Sequence, residues 1–539
     1  MAGSDSGPRL LLVGIDAGCF EVMGPLASAG AIPTLERLFR GGTAAPLESQ
    51  IPPWTASAWP SLYTGKNPGK HGVFDFVTFD GYDWDVVNAT CVRERPVWEL
   101  LADAGYRSVV VNVPVTHPPR SFDGALIPGM TAPESPRCHP PGILEDVETA
   151  CGEYRVYPQT SAGPAPSIRH YEETIEARGG AFRYLCDRFD PDFAFVQFQV
   201  TDSVFHERPG DREAIEAVYR AVDAEVAATI DALEPRNVLV ASDHGIGPVP
   251  GPEVRVNEHL RDGGYCSVTR GGEGMPNWTR AWERDLLEGE SAADRTPGPL
   301  ERSVALAARA GITTQRVAAV LDRVGLKETV GRHVPTDVRS VGSEQVDFPA
   351  SDAYVRSKSE LGVRINLAGR EPEGTVSQSS YESLRDELIA SLEDLETPGG
   401  RPAFEAVLPR EGVFSGPEID AGPDIVTVPR GFDTAITAGV GGGVFGEPME
   451  PWNHTREGFL AARGADIDER VTLETPSLFD VAPTICSLFD LPVDESMDGQ
   501  TLAFVESSEL GSYPDYEPAT PTTTTDGSVE DRLSDLGYL

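Results

Sequence analysis

Four stretches of this chain are apolar with almost no alternation: RLLLVGID (9–16), SVVVNVP (108–114), DFAFVQFQV (192–200) and NVLVASD (237–243). A strand with one face in water alternates polar and apolar side chains. Unbroken runs of this length therefore belong to strands covered on both faces. Between the runs lie segments of helical length and spacing, Val97–Ala104, Tyr171–Phe189 and Asp211–Leu233. This alternation predicts an α/β fold with a mainly parallel central sheet flanked by helices. Two later runs, DIVTVP (424–429) and GFLAARG (458–464), are candidates for the same sheet.

The chain has 539 residues, enough for one large α/β domain with insertions. Residues 1–270 and 345–508 read as one discontinuous domain. Residues 271–344, rich in Arg, Glu, Gly and Ala, read as a helical insertion, either a cap or a surface elaboration. Residues 509–539 contain the low-complexity run YPDYEPATPTTTTDGS and read as a flexible acidic tail.

The net charge is −41, with 85 acidic against 44 basic residues. A field of that sign repels phosphate backbones, so no nucleic-acid binding surface is expected. Only four of the basic residues are lysines: Lys66, Lys70, Lys327 and Lys358. Many carboxylates with few lysines suggest a surface adapted to high salt, where screening removes most self-repulsion. The seven cysteines are scattered, with no C-x-x-C pair, which argues against a disulfide framework or structural zinc site. No stretch approaches the roughly 18 apolar residues of a membrane span. The run Leu10–Ile15 is too short for a signal peptide, so a soluble, cytoplasmic protein is expected.

Five separated features carry chemistry. Asp16 ends the first apolar run in GIDAG. Thr55 stands in PPWTASAWPSLYTGKNPGKHG (52–72), ahead of a helix-like stretch. A hydroxyl there meets the positive helix end, which suits a nucleophile or a phosphate; an N-cap threonine is the plainer alternative. Lys66 and Lys70 fall in the same segment, as anion ligands or as structural ion pairs. In TDSVFH (201–206), Asp202 and His206 are spaced i, i+4, one face of a helix and within reach of one metal. In ASDHG (241–245), Asp243 and His244 are adjacent. In WNHTREG (452–458), His454 is the last candidate. In open α/β sheets the ligand site lies beyond the carboxyl ends of the strands, so residues at several such ends converge. Three Asp and three His then make two three-residue metal sets.

This ordered set resembles the alkaline phosphatase superfamily, and its spacing resembles the type I phosphodiesterase/nucleotide pyrophosphatase branch. The matching features are Asp16, Thr55 nine residues before Thr64-Gly65, Pro68 to His71-Gly72, Asp202/His206, Asp243/His244, His454 and the terminal SLFDVAPTICSLFDLP. The resemblance covers roughly residues 9–265 and 345–505. It implies two divalent metal ions, zinc with manganese as second choice. Asp16, Thr55, Asp243 and His244 would hold one; Asp202, His206 and His454 would hold the other. His71 and His259 are not carried over as ligands. The resemblance further implies hydrolysis of a small phosphorylated substrate through a phosphothreonyl intermediate at Thr55. One departure stands out: where many members carry a phosphate-binding Asn three residues after the nucleophile, this chain has Ala58. A phosphomonoesterase, phosphomutase or phosphotransferase, and a non-catalytic metal-binding protein, are the alternatives. Substrate and oligomeric state are not legible in the sequence.

Overall fold

The computed structural model of the chain describes residues 7–159, 165–270, 344–520, 522–524, 529 and 532–533. The expected helical insertion, 271–344, lies outside the described residues except for its last position.

The strands used below, in chain order, are β1 (Leu10–Ile15), β2 (Thr43–Glu48), β3 (Ser108–Val113), β4 (Gly124–Pro128), β5 (Phe193–Phe198), β6 (Asn237–Ala241), β7 (Gly245–Pro248), β8 (Ala353–Tyr354), β9 (Gly362–Ile365), β10 (Phe404–Pro409), β11 (Ile425–Pro429), β12 (Trp452–Thr455) and β13 (Glu457–Gly464). The helices used below are α1 (Thr55–Thr64), α2 (Ile168–Phe189), α3 (Val200–Glu207) and α4 (Arg212–Leu233). A seven-stranded central sheet runs β2-β13-β6-β1-β5-β3-β4. The five strands from β6 to β4 are parallel, and every residue of β1, β3, β4, β5 and β6 is buried. These are the runs that lacked alternation, and the helices α2 and α4 pack together beside them. The sheet is thus mainly parallel, flanked by helices, as the alternation predicted.

Of the two later candidates, 458–464 joins the central sheet as β13, antiparallel to β6. The other, 424–429, does not. It forms β11 in a separate four-stranded sheet of order β8-β9-β11-β10, antiparallel at each pairing. An apolar run reports burial but not which sheet buries it. The neighbouring run 404–409 supplies an antiparallel partner close in sequence.

The described part of 509–539 lies against the body. The Tyr513 hydroxyl donates to the Pro492 carbonyl (2.7 Å), Arg120 stacks over Tyr516 (4.7 Å), and the Thr524 amide donates to Asp85 (2.8 Å). All seven cysteines are free. No helix among the described residues is long and apolar enough to cross a membrane.

Candidate active site

The three central parallel strands end at one place. Asp16 follows β1, the turn into α3 follows β5, and Asp243 and His244 follow β6. This is the carboxyl edge of the sheet, where such folds place ligands. Asp202 and His206 sit on α3 one turn apart. His454 arrives from far along the chain on β12, which pairs antiparallel with β7 so that His454 faces Ile246. Thr55 is the first residue of α1. Its cap is Trp54, which makes no side-chain capping bond, so the Thr55 hydroxyl is not used as an N-cap.

All seven residues converge, and all are buried. The Thr55 Oγ1 lies 3.1 Å from His244 Nε2 and 3.4 Å from Asp16 Oδ1. His244 Nε2 lies 3.1 Å from Asp243 Oδ2 and 3.6 Å from Asp16 Oδ1. Beside this set, Asp202 Oδ1 is 3.3 Å from His206 Nε2 and 3.4 Å from His454 Nε2, and the two Nε2 atoms are 3.1 Å apart. The rings of His244 and His454 stack at 3.8 Å and join the two sets.

The donor set suits divalent cations. The Pro53 and Gly245 carbonyls can only accept, so His454 Nδ1 (3.0 Å) and His244 Nδ1 (2.9 Å) donate to them. In a neutral ring that leaves the Nε2 lone pair pointing into the cluster. Two groups offer ligand atoms within 4.8 Å of one another: Asp16, Asp243 and His244, and Asp202, His244 and His454. The charges of the cluster act strongly on one another. Burial, then Asp243 and Asp202, holds the Asp16 carboxyl well above the usual carboxylate range. Burial would also raise Asp202, but His206 and His454 outweigh it and hold it low. Burial, then His244, pushes His454 down to about 3. Burial disfavours a charged His244 too, yet Asp243 outweighs it and raises the ring. Asp16 and Asp243 beside it are negative charge that a bound cation would balance.

Sequence reasoning missed the residues that aim Asp16. Gln197 donates to Asp16 Oδ2 (2.6 Å), as does the Trp59 indole (3.2 Å), and Asn112 in turn donates to Gln197 Oε1 (2.8 Å). Oδ1 is thereby left toward Thr55. The available signal was a single polar residue inside an apolar run, Gln197 in DFAFVQFQV and Asn112 in SVVVNVP. Gly14 makes room for Trp59: a Cβ there would lie 2.5 Å from the indole ring.

Behind Thr55, a closed hydrogen-bond circuit braces α1. His71 Nδ1 accepts the Val73 amide (3.2 Å), so Nε2 carries the proton and donates to Ser61 (2.8 Å). Ser61 donates to Gln50 Oε1, Gln50 Nε2 donates to Ser57 (2.6 Å), and Ser57 donates to the Val73 carbonyl (2.6 Å). The other hydroxyls of the segment, Ser57 and Ser61, are thus committed to structure. Burial pushes His71 down to about 3 from 6.5. The unfolded chain takes up this proton below about 6.5 and the folded chain not until about 3, so stability falls as pH drops through that window. His71→Asn keeps an acceptor for the Val73 amide and does not titrate. The stability advantage of wild type over this variant, measured by urea unfolding, should shrink on acidification. An advantage independent of pH would mean that the ring titrates normally.

Lys66 and Lys70 are structural. Lys66 pairs with Glu94 (2.6 Å) and Asp494 (3.1 Å), and Lys70 with Asp498 (2.5 Å). His259 meets Ser391 (2.9 Å), away from the cluster. Ala58 is fully buried in α1 and offers no polar atom. A cleft of about 440 Å³, open to solvent, adjoins the cluster through His206 and His454 and runs along Trp54, Lys358, Leu361, Phe432, Thr434 and Glu450.

The sequence pattern of type I phosphodiesterases/nucleotide pyrophosphatases matches residues 10–431, a span that contains every cluster residue except His454. No curated relative matches the chain. Among solved structures it is similar to phosphonoacetate hydrolase from Sinorhizobium meliloti 1021 in complex with phosphonoformate, with 17% identity and a TM-score of 0.51 over 88% of this chain and 94% of that one. The same hydrolase in complex with phosphonoacetate gives 17% identity and a TM-score of 0.49 over the same shares. At this identity the likeness concerns the fold. On the match across most of its length, the chain belongs to the type I phosphodiesterase/nucleotide pyrophosphatase family, metal-dependent phosphoester hydrolases with an alkaline phosphatase-like fold.

Proposed function

We propose that the chain hydrolyses a small phosphodiester, in the manner of nucleotide pyrophosphatases, through a covalent phosphothreonine at Thr55. The observation that carries this reading is the Thr55 hydroxyl at 3.1 Å from His244 Nε2 and 3.4 Å from Asp16 Oδ1, at the start of a helix with no side-chain cap. Asp16, Thr55, Asp243 and His244 would hold one divalent cation, and Asp202, His206 and His454 the other. Zinc suits the mixed nitrogen and oxygen donors, with manganese second. Bound there, such cations supply Lewis acidity that makes a threonine hydroxyl nucleophilic at neutral pH and offsets phosphoryl charge.

The chain's own residues supply orientation. Gln197 and Trp59 fix Asp16 on one oxygen, and Pro53 and Gly245 fix two imidazoles. The positive end of α1 favours an anion beside Thr55. In the first step the bond from Thr55 oxygen to phosphorus forms and the bond from phosphorus to the departing oxygen breaks. The hydroxyl proton passes through solvent to the departing alkoxide. Water then attacks phosphorus, the bond to Thr55 breaks, and the threonine regains a proton.

Turnover of bis(4-nitrophenyl) phosphate and 4-nitrophenyl phosphate, each with Zn²⁺ and with Mn²⁺, tests the reading. The diester should be the better substrate. Preference for the monoester would move the chain to the phosphatases, and turnover of neither would sink hydrolysis. The assay should be run across salt concentrations, because 85 acidic against 44 basic residues points to adaptation to high salt. The melting temperature should rise as KCl is added toward molar levels. A flat or falling value would refute the halophilic reading and leave the chemistry untouched.

A further inference from the structure

We infer that the cleft beside the cluster selects substrates whose leaving group carries a second anion, a carboxylate or phosphate, and that Lys358 reads it. The inference rests on the proposed function for where the phosphoryl group sits. The walls supply the rest. Lys358 is one of four lysines in a chain of net charge −41, and its ammonium stands in this cleft rather than on the general surface. Two further donors line the same cleft, and neither has a hydrogen-bond partner among the described residues. They are the Trp54 indole N–H and the Thr434 hydroxyl, both more than nine-tenths buried. Indole N–H can only donate, and an ammonium can only donate. Buried donors without acceptors are costly, so a lining of this kind calls for an acceptor-rich ligand.

Glu450 explains how the cleft holds such a cation in reserve. Its Oε1 accepts from Lys358 at 2.8 Å, and its Oε2 lies 3.8 Å from His206 Nδ1. The carboxylate thus stands between two partners. An arriving anion can take Lys358 while Glu450 turns to the imidazole N–H, a common companion of a metal-binding histidine. Leu361 and Phe432, which form apolar wall between these polar groups, both hold positive φ, 50° and 53°, a strained conformation for such side chains. They give the anion's carbon frame a surface to lie on. The Lys358 side chain is 25% exposed in the cleft, so a charged group it meets there is less screened than on the open surface.

Calorimetric binding of two phosphonates in the presence of Zn²⁺ tests this without turnover: 4-carboxyphenylphosphonate and its uncharged analogue 4-carbamoylphenylphosphonate. Wild type should prefer the carboxylate by about ten-fold or more. Lys358→Met should bring the ratio close to one, Lys358→Arg should restore it in part, and Thr434→Val should lower it about five-fold. Glu450→Gln, which removes the competing carboxylate, should tighten binding of the carboxylate probe. Equal binding of the two probes by wild type, a ratio untouched in Lys358→Met, or no binding of either probe would overturn the inference. Hydrolysis of bis(4-carboxyphenyl) phosphate is measured in parallel. Discrimination in binding without hydrolysis would keep the cleft assignment and reject the hydrolase reading; hydrolysis without discrimination would do the reverse.

Discussion

Thr55→Ala should lower turnover by about 10³-fold or more while the protein remains folded. The substitution removes the attacking oxygen and one of the groups proposed to hold a cation. It takes away no capping bond, since Trp54 occupies the cap position and Thr55 is the first helical residue. Stability should therefore change by no more than about 1 kcal/mol, the worth of an ordinary hydrogen bond. Thr55→Ser keeps the oxygen and loses only a methyl group that holds the rotamer, so activity within about 100-fold of wild type is expected. Ser57→Ala and Ser61→Ala provide the contrast. Both hydroxyls serve the circuit through Gln50 and His71, so these variants should lose stability without comparable loss of chemistry. Near wild-type turnover in Thr55→Ala with loss in Ser57→Ala would transfer the role to Ser57.

Removal of divalent cations should abolish activity and lower the melting temperature by about 5–10 °C, with both restored by Zn²⁺ or Mn²⁺. Each site filled at about 1,000 times its Kd contributes about 4 kcal/mol. The physical reason lies in the cluster itself. Asp16, Asp202 and Asp243 are buried with at most 1% exposure and lie among one another's fields. Three buried carboxylates are tolerated in the fold when positive charge is brought to them. Asp202→Asn removes one charge and one donor. The chelator-induced drop should shrink in that variant, although its activity is lost. A melting temperature unmoved by chelation in wild type would show that the cluster is self-sufficient and would remove the metal reading.

The cluster was legible because its residues sit at the ends of strong apolar runs. Asp16, Asp243 and His244 each follow a strand that burial on both faces makes conspicuous, and Asp202 with His206 has helical spacing. His454 was legible only through the ordered resemblance, since its motif is a short strand whose partner, β7, lies some two hundred residues earlier in the chain. The cleft was not legible at all. Trp54, Lys358, Phe432 and Glu450 come from separate segments with no local pattern, and the run 424–429, which leads into Phe432, reads from sequence as a candidate for the central sheet rather than for the antiparallel one it joins. The roles of Lys66 and Lys70 were also undecided by sequence, because their acidic partners Glu94, Asp494 and Asp498 are distant along the chain.

Rapid acid quenching of the enzyme during turnover of a phosphodiester, followed by mass-spectrometric mapping of the trapped phosphate, tests the central proposal most directly. The account predicts phosphate on Thr55 and its absence in Thr55→Ala. Phosphate on Ser57, Ser61 or any other residue, or steady turnover with no phosphothreonine at any quench time, would contradict it.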